Sequence, residues 1–429
     1  MAEPAKAFLN GLFRTAIAAA HPTSCLPRHL PDPPASGRLI VLAAGKAAGA
    51  MTELAETLYM ERLRDPSRLV GIAVARQGYG RPTHFIPMIE AGHPVPSAEG
   101  LAAADRTLDL AQAAGPDDLV LVLLSGGASA NWIAPAPGLT LADKQAVTRA
   151  LLRSGAAIGE MNTLRKHLSR IKGGRLARAA QPARVVTLAI SDVPGDDPAV
   201  IGSGPTVPDP STLAEARAIV AKRQLTLPDI VARALADPGN ETPKPGDPAF
   251  TAIDYRLVAR PADAFRAAHQ AARAAGYEPV LLGDRIEGEA RILAAEHAAL
   301  ALSLQSEGRR TVILSGGELT VTIRGQGRGG PNQEYALALA VALRGTRGIA
   351  ALAGDTDGTD GGAGSPDDPA GAEIDPSTLT RAEALGLDPA AFLADNDSTS
   401  FFTRLGDLVR TGPTCTNVND FRAIVVDRP

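Results

Sequence analysis

Five predicted strands end in short loops rich in glycine, serine and acidic residues, and these loops hold the residues best suited to chemistry. Glycines allow backbone N–H groups to converge on an anion, and a helix that follows adds a favourable field. In α/β sheets, ligands bind outside the carboxyl ends of the strands. The loops therefore predict a site for a polyanionic ligand. They start at Gly45 (GKAAG), Ser125 (SGGAS), Ser191 (SDVPGDD), Ser315 (SGGE) and Gly354 (GDTDGTDGG).

Two of these loops carry several carboxylates. Asp192, Asp196 and Asp197 follow the apolar run at 185–190, and glycines at 202 and 204 come soon after. This pattern also fits an ordinary turn, because Asp and Gly are common turn residues. The loop at 354–362 has three aspartates but lacks the closing Glu of a calcium-binding EF-hand. A site for Mg²⁺, which needs only one or two carboxylates beside substrate phosphates and water, fits this sparser set.

Basic residues stand close to the same loops. Lys46 begins a helix directly after the strand predicted at 39–44, where its ammonium could reach phosphate oxygens. Its surroundings match neither the GxxxxGK[ST] phosphate loop nor the GxGxxG dinucleotide motif. Arg328 lies among four glycines in GQGRGGPNQE, which indicates a mobile backbone or one that approaches a ligand closely.

A basic segment at 162–178, NTLRKHLSRIKGGRLAR, stands out in a chain whose net charge is −4. Helical spacing would place Asn162, Lys166, Ser169 and Gly173 on one face. A solvated basic face is one interpretation, and local positive potential for a phosphate or carboxylate is the other.

The elements that must position these residues alternate between strand and helix. Buried strands are predicted at 39–44, 119–124 and 185–190, with helices between them, which is typical of βαβ units and a largely parallel sheet. A stretch rich in Pro and Gly at 226–248 predicts a linker. We therefore expect an α/β protein of two domains, an N-terminal domain over 1–240 and a C-terminal α/β domain over 250–429.

Composition limits the class of protein. The chain has 429 residues, of which 45% are hydrophobic, 3% aromatic and 21% charged, a balance typical of a folded globular protein. The acidic net charge argues against a nucleic acid or a membrane surface as partner. No apolar run approaches the ~18 residues that a spanning helix needs. The only two cysteines, Cys25 and Cys415, lie far apart and favour a reducing, cytoplasmic compartment.

In these motifs the sequence resembles the glycerate 2-kinase family with a MOFRL-type C-terminal domain, some members of which are labelled hydroxypyruvate reductase. The resemblance implies ATP-dependent phosphorylation of D-glycerate at its 2-hydroxyl, giving 2-phosphoglycerate and ADP, with Mg²⁺. It also implies a cleft between a larger, Rossmann-like N-terminal domain and a smaller C-terminal one. The matching stretches span nearly the whole chain in order: AAGKAAGAM, AGHPVPS, LVLLSGGASA, NTLRKHLSRIKGG, SDVPGDDPAVIGSGPT, GGELTVTIRGQGRGGPNQE, AGDTDGTDG and TGPTCTNVND.

The resemblance also implies roles for particular residues. Lys46 and Arg328 would be the catalytic cations that act on the transferred phosphoryl group and the substrate. Asp192 would be either a metal ligand or the group that orients the 2-hydroxyl. Contacts with nucleotide or substrate are implied for Gly45, Ser125, Gly126, Gly127, Lys166, Asn332, Glu334 and Asp357.

Two positions depart from the family pattern. Pro331 stands where many relatives have Arg, which removes one phosphate contact, and Cys415 stands where they have Gly. Two other functions fit part of the pattern. A hydroxypyruvate reductase would use NAD(P)H, although the GxGxxG motif is missing, and a sensor would bind phosphorylated metabolites without turnover. The sequence leaves the oligomeric state open, including a homo-oligomer.

Overall fold

The computed structural model describes residues 2–362 and 365–428, and it divides into two compact units. One unit is Cys25–Val258. The other combines the residues up to Ser24 with those from Ala259 onward. This division differs from the predicted boundaries, because the first helix belongs with the C-terminal unit and the chain passes from one unit to the other after Val258.

Two six-stranded sheets form the centres of the two units. The first has the strand order β3-β2-β1-β4-β5-β6, and the second has the order β13-β12-β11-β14-β9-β7. A pair of short strands, β8 and β10, lies apart from both. The strands are β1 (Leu39–Gly45), β2 (Leu69–Arg76), β3 (Met88–Ala91), β4 (Leu119–Leu124), β5 (Arg184–Ile190), β6 (Ile253–Ala259), β7 (Glu278–Gly283), β8 (Gly288–Glu289), β9 (Thr311–Gly317), β10 (Leu319–Thr320), β11 (Ile349–Asp355), β12 (Gly371–Ile374), β13 (Leu408–Val409) and β14 (Asp420–Val426).

Helices cover the sheets and connect the strands. They are α1 (Ala2–Ala20), α2 (Pro22–Cys25), α3 (Ala48–Arg62), α4 (Ala98–Gln112), α5 (Ala128–Asn131), α6 (Leu141–Arg153), α7 (Ile158–His167), α8 (Arg175–Ala179), α9 (Leu213–Lys222), α10 (Asp229–Ala236), α11 (Pro261–Ala274), α12 (Ala290–Ser306), α13 (Pro331–Leu343), α14 (Thr378–Ala384), α15 (Pro389–Ala394) and α16 (Ser398–Leu405).

The first sheet confirms the predicted parallel βαβ core. β1 pairs in parallel with β2 and with β4, and β4 pairs in parallel with β5. β1 and β4 are buried at every position, as expected for strands that are covered on both faces. The chain proceeds outward from β1 to β3 and then returns to the other side of β1 with β4. This reversal between β1 and β4 creates a switch point, where ligands bind in open α/β sheets.

The second sheet is mixed. β9, β14, β11 and β12 pair antiparallel, whereas β7 joins β9 in parallel. The helix α1 packs on this unit: the ring centroids of Phe13 and Phe421 are 5.8 Å apart, and Thr416 Oγ1 donates to the carbonyl of Ala20 at 2.7 Å. The prediction of a two-domain α/β chain is confirmed.

The prediction of a linker at 226–248 is wrong. The stretch lies inside the Cys25–Val258 unit and contains α10, whose Val231, Ala234 and Leu235 are buried. Proline at position 228 caps this helix rather than excluding it. Pro and Gly content alone therefore did not distinguish a linker from a folded segment with tight turns.

One buried carboxylate holds the loop that leads into β3. Glu56, on α3, is 4% exposed and accepts hydrogen bonds from the backbone N–H groups of His84, Phe85 and Ile86 at 2.5, 2.9 and 2.9 Å. The loop at 84–86 leads into β3 and then to His93. Glu56 therefore holds the segment that delivers this histidine to the sheet edge.

We expect Glu56→Ala to lower the free energy of unfolding by about 2–3 kcal/mol, because three backbone donors lose a charged acceptor. Glu56→Gln keeps one acceptor oxygen and should lose less. Urea unfolding followed by the fluorescence of Trp132, the single tryptophan, measures both changes. Equal stability of the Ala variant and the wild type would contradict this role for Glu56.

Candidate functional site

The loops that follow β1 and β4 are joined at the switch point. The amide of Lys46 donates to the carbonyl of Gly126 at 2.8 Å, and the amide of Ala47 donates to Ser125 Oγ at 2.9 Å. Gly45 has φ +119°, and a Cβ there would lie 2.3 Å from Ser125 Oγ, so only glycine fits. Three of the residues predicted to share this edge, Gly45, Lys46 and Ser125, are thus brought together.

Gly127 connects this junction to a neighbouring cavity. A Cβ on Gly127 would lie 3.2 Å from Lys46 Cγ and 3.2 Å from His93 Cδ2, so both side chains flank the glycine. Gly127 and His93 also line a cavity of about 240 Å³. Lys46 therefore stands at the border of that cavity, with one glycine between them.

Three basic side chains line the cavity, and we call it the cationic pocket. Lys144 of α6, Arg165 of α7 and Lys172 of the turn after α7 all line it, together with Ser129 of α5. Lys144 is 5% exposed and Lys172 is 2% exposed, and Arg165 is half-buried. The remaining lining residues are His93, Pro94, Pro96, Gly127, Ala130, Ile133 and Thr148.

Backbone carbonyls hold the two lysines. Lys172 Nζ donates to the carbonyls of Ser129 and Trp132 at 2.8 and 3.0 Å, and Lys144 Nζ donates to the carbonyl of Arg165 at 3.3 Å. Burial lowers the pKa of Lys144 to about 7, and the charge of Arg165 adds to this effect. Burial also lowers the pKa of Lys172 well below its ordinary value, and the charges of Lys144 and Arg165 lower it further.

Lys166, the lysine predicted from the basic segment, lies outside the cationic pocket, whereas Lys172 of the same segment lines it. Lys166 is absent from the lining of the cationic pocket, and its Nζ lies 3.3 Å from Asp209 Oδ1 in a buried ion pair. The predicted helical face fails because α7 ends at His167 and a turn follows. In that turn Gly173 and Gly174 have φ +58° and +81°. Lys172 therefore reaches the pocket from non-helical backbone, which a helical projection does not represent.

Asp192 lies on the same edge of the sheet as Lys46. It follows β5 directly and is half-buried, and β4 separates β5 from β1. Two strand spacings correspond to roughly 10 Å between the ends of β1 and β5. A metal ion with bound phosphates can bridge a gap of this size, whereas direct contact between the two side chains is not implied.

The loop beyond Asp192 is hydrogen-bonded to the turn that carries Lys172. Gly202, Ser203 and Gly204 have φ values of +58°, +63° and +59°. The carbonyls of Ser203 and Gly204 accept hydrogen bonds from the amides of Gly173 and Gly174 at 3.0 and 2.7 Å. The carbonyls of Ser203 and Gly204 therefore hold the turn that carries Lys172.

Two of the residues predicted in the C-terminal unit, Asn332 and Asp357, are buried and form hydrogen bonds within that unit. Asn332 Nδ2 donates to Asp420 Oδ1 at 2.7 Å and to Asp360 Oδ1 at 3.2 Å. Burial raises the pKa of Asp360 to about 7, while hydrogen bonds from the 332–333 backbone oppose this. Asp357 Oδ1 accepts from the amide of Thr359 at 2.7 Å. The side chains of Asn332 and Asp357 are both buried.

Glu334 supports the loop that carries Arg328. It forms an ion pair with Arg291 at 2.6 Å and accepts from Asn396 Nδ2 at 3.0 Å. Asn396 Oδ1 in turn accepts from the backbone amides at 324 and 325. A Cβ on Gly325 would lie 2.3 Å from Asp395 Cα, so this glycine permits close packing. The side chain of Arg328 is exposed, while its amide donates to Asp397 Oδ1 at 3.0 Å.

A larger cavity, of about 470 Å³, lies in the C-terminal unit between α1 and the loop after β13. Its lining includes Phe13, Arg14 and Arg410. None of the residues predicted from the sequence lines it. The chemistry therefore favours the smaller cationic pocket as the functional one.

Over the described ranges 2–362 and 365–428, no three His, Cys, Asp or Glu side chains are grouped so that they could hold a metal ion. A divalent cation at Asp192 would therefore need oxygen ligands from a bound substrate. A search of the same residues finds no helix long and apolar enough to cross a membrane.

Comparison with known proteins identifies the family. The model of a domain of unknown function (DUF4147) matches residues 8–236, and the MOFRL family model matches residues 311–420. A D-glycerate 2-kinase from Thermotoga maritima is 37% identical over 388 residues, which cover 89% of each chain. The chain belongs to the glycerate 2-kinase family.

Two further proteins support this assignment, and one of them carries the second name used in the family. A crystal structure of a glycerate kinase from Thermotoga maritima aligns with a TM-score of 0.87 at 35% identity, covering 99% of this chain and 100% of that one. An Agrobacterium vitis protein provisionally named hydroxypyruvate reductase is 49% identical over 428 residues, which cover 98% of this chain and 94% of the relative. The family resemblance inferred from the motifs is confirmed, including its two labels.

The lowered pKa of Lys144 predicts an unusual pH dependence of stability. Between pH 7 and the ordinary lysine value of 10.5, the unfolded chain binds a proton that the folded chain has lost, so stability rises with pH. Lys144→Met removes this contribution. We expect the variant to be more stable than the wild type at pH 6, and this advantage to shrink by about 3 kcal/mol by pH 9.5, at about 1.4 kcal/mol per unit.

Urea unfolding monitored through Trp132 fluorescence tests this expectation at both pH values. Arg149→Gln is the matched control, because Arg149 is an exposed cation on the same helix. A stability difference between Lys144→Met and the wild type that does not change with pH would contradict the buried, desolvated state of Lys144.

Proposed function

We propose that this protein transfers a phosphoryl group from ATP to the 2-hydroxyl of D-glycerate, giving 2-phosphoglycerate and ADP. The observation that carries the proposal is the junction at the switch point, where Lys46 and the 125–127 loop meet beside a cationic pocket. The names of the relatives agree, since the Thermotoga maritima protein is a D-glycerate 2-kinase. Phosphoryl transfer depends mainly on positioning and charge neutralisation, and these are what a lysine and glycine-rich loops provide.

In this proposal Lys46 neutralises charge on the transferred phosphoryl group. Gly126 and Gly127 hold an anionic part of a ligand through backbone N–H groups. The amide of Ser125, predicted to do the same, instead donates to the carbonyl of Ala44 at 3.1 Å. The side chain of Arg328 is the second cation, and its exposure leaves it accessible to a ligand. Glu334 acts as a positioning residue, because it holds Asn396 and Asn396 holds the backbone of the Arg328 loop. Asn332 acts as another, through its hydrogen bonds to Asp360 and Asp420.

Asp192 suits a metal bound together with the nucleotide. One half-buried carboxylate at a strand end, with no larger cluster of ligands among the described residues, fits Mg²⁺ that is carried largely by ATP. When bound, Mg²⁺ supplies charge neutralisation on the nucleotide phosphates. Asp192 would either contribute one ligand to the metal or orient the 2-hydroxyl. The two widely spaced cysteines support our further proposal that the enzyme works in the cytoplasm.

The second candidate is a hydroxypyruvate reductase, which the name of the Agrobacterium vitis relative favours. It would oxidise NAD(P)H with hydroxypyruvate. The turn after β1 reads AAGKAAGA instead of GxGxxG, so it lacks the glycines that bring backbone close to a dinucleotide pyrophosphate. The kinase is therefore the better interpretation of this turn.

Purified protein given ATP, Mg²⁺ and D-glycerate should release ADP and form 2-phosphoglycerate, while a parallel reaction with NADPH and hydroxypyruvate should leave NADPH unconsumed. Coupled measurement of ADP and ³¹P NMR of the product identify the reaction and the position of the phosphate. ADP formation no greater than without D-glycerate would refute the kinase. NADPH consumption in its place would establish the reductase.

Lys46→Ala and Arg328→Ala should each lower kcat by ~10³-fold or more, because each removes a cation from the charge that develops during transfer. Asp192→Asn should lower kcat and raise the Mg²⁺ concentration needed for half-maximal rate if Asp192 is a metal ligand. If Asp192 instead orients the hydroxyl, kcat falls and the Mg²⁺ dependence is unchanged.

Steady-state kinetics with matched controls check these roles. Arg324→Ala removes an exposed arginine from the loop of Arg328, and Lys222→Ala removes an exposed lysine from the unit of Lys46. Both control variants should keep wild-type rates. Near-wild-type turnover in a folded Lys46→Ala or Arg328→Ala variant would remove that residue from the catalytic group.

A further inference from the structure

The cationic pocket has no acidic counter-charge of its own. Among the residues that the structure describes, no carboxylate lines it, and none pairs with Lys144, Arg165 or Lys172. The lysine ammonium groups meet only backbone carbonyls. Buried like charges without a partner are costly, and an anionic ligand would offset that cost. The pocket is therefore suited to an acid.

The size of the pocket selects the kind of acid. Its volume of about 240 Å³ is below the roughly 300–1,000 Å³ of pockets that enclose drug-sized ligands, a class that includes nucleotides. The imidazole of His93 is the one aromatic ring among its described lining residues, so the pocket lacks a flat apolar slot for a purine. A three-carbon acid fits this volume, and a whole nucleotide does not.

The position of the pocket relates it to the reacting groups. Gly127 separates it from the side chain of Lys46, to which the proposed function gives the transferred phosphoryl group. An acid whose carboxylate lies among the three cations would present its hydroxyl toward that border. The triphosphate would then approach from the Lys46 side, along the 125–127 loop.

Building on the proposed function, we propose that Lys144, Arg165 and Lys172 form the carboxylate subsite for the three-carbon acceptor, and that the nucleotide phosphates bind outside the pocket. These residues determine specificity for an acid over a neutral polyol. Glycerol has the same carbon chain and hydroxyl groups but lacks the carboxylate. It should therefore fail to offset the buried charge.

Isothermal titration calorimetry with one ligand at a time tests this assignment without turnover. The wild type, Lys144→Met, Arg165→Gln and Lys172→Met are each titrated with D-glycerate, glycerol and ATP. We expect each substitution to raise the Kd for D-glycerate by ~10-fold or more, as expected for loss of a charged hydrogen-bonding partner, and to change the Kd for ATP less than about twofold. Arg149→Gln should match the wild type with every ligand, and glycerol should not bind.

Several outcomes would overturn the subsite. These are weakened ATP binding with unchanged D-glycerate binding, unchanged binding of both ligands in the variants, or no D-glycerate binding by the wild type. Lys172→Met also removes two hydrogen bonds to backbone carbonyls, so Lys144→Met and Arg165→Gln decide the result if that variant unfolds. The emission of buried Trp132 verifies that each variant is folded.

The same measurements separate this proposal from the kinase activity. If the wild type binds D-glycerate, loses that binding in the pocket variants and yet forms no ADP, the carboxylate subsite stands and the kinase proposal fails. If ADP forms but the pocket variants keep wild-type D-glycerate binding, the kinase stands and the subsite fails.

Discussion

Three cationic side chains in one small cavity set the main electrostatic constraint on the Cys25–Val258 unit. Desolvation penalises all three charges, and the charge of Arg165 adds to the penalty on both lysines. The fold tolerates them because backbone carbonyls of Ser129, Trp132 and Arg165 point at the ammonium groups. The carbonyls of Ser129 and Trp132 belong to α5 and the residue that follows it, and the carbonyl of Arg165 belongs to α7. Stability is thus given up locally in the pocket that we propose as the carboxylate subsite.

The sequence was sufficient to locate the central strands of the first sheet and the edge at which we propose that the chemistry occurs. Apolar runs such as LVLVLL can be buried on both faces only in a covered sheet, and glycines mark where each run ends. The grouping of Lys46 with Ser125 followed, because neighbouring parallel strands end at one edge. Lys144 gave no such signal. It lies on an ordinary amphipathic helix, and only the tertiary packing of α6 against α7 shows that it is buried.

Local backbone geometry accounts for the other differences. The segment at 162–178 has helical periodicity throughout, but Gly173 and Gly174 adopt left-handed conformations, so Lys166 and Lys172 end in different environments. Prolines near 226–248 indicated a linker, yet proline at position 228 precedes a helix that packs. A glycine widens and a proline narrows the range of local backbone conformations, but the packing of distant elements decides which structure results.

The placement of α1 has a consequence for biosynthesis. Its apolar residues Leu9, Leu12 and Phe13 are buried against elements of the C-terminal unit, including β14 at Asp420–Val426. A ribosome adds about 5–20 residues per second, so this helix emerges roughly 20–80 s before its last partner strand exists. The whole Cys25–Val258 unit can fold during that wait, while the first helix keeps an uncovered apolar face. Nascent chains of this protein should therefore need a chaperone to shield the N-terminal segment until synthesis ends.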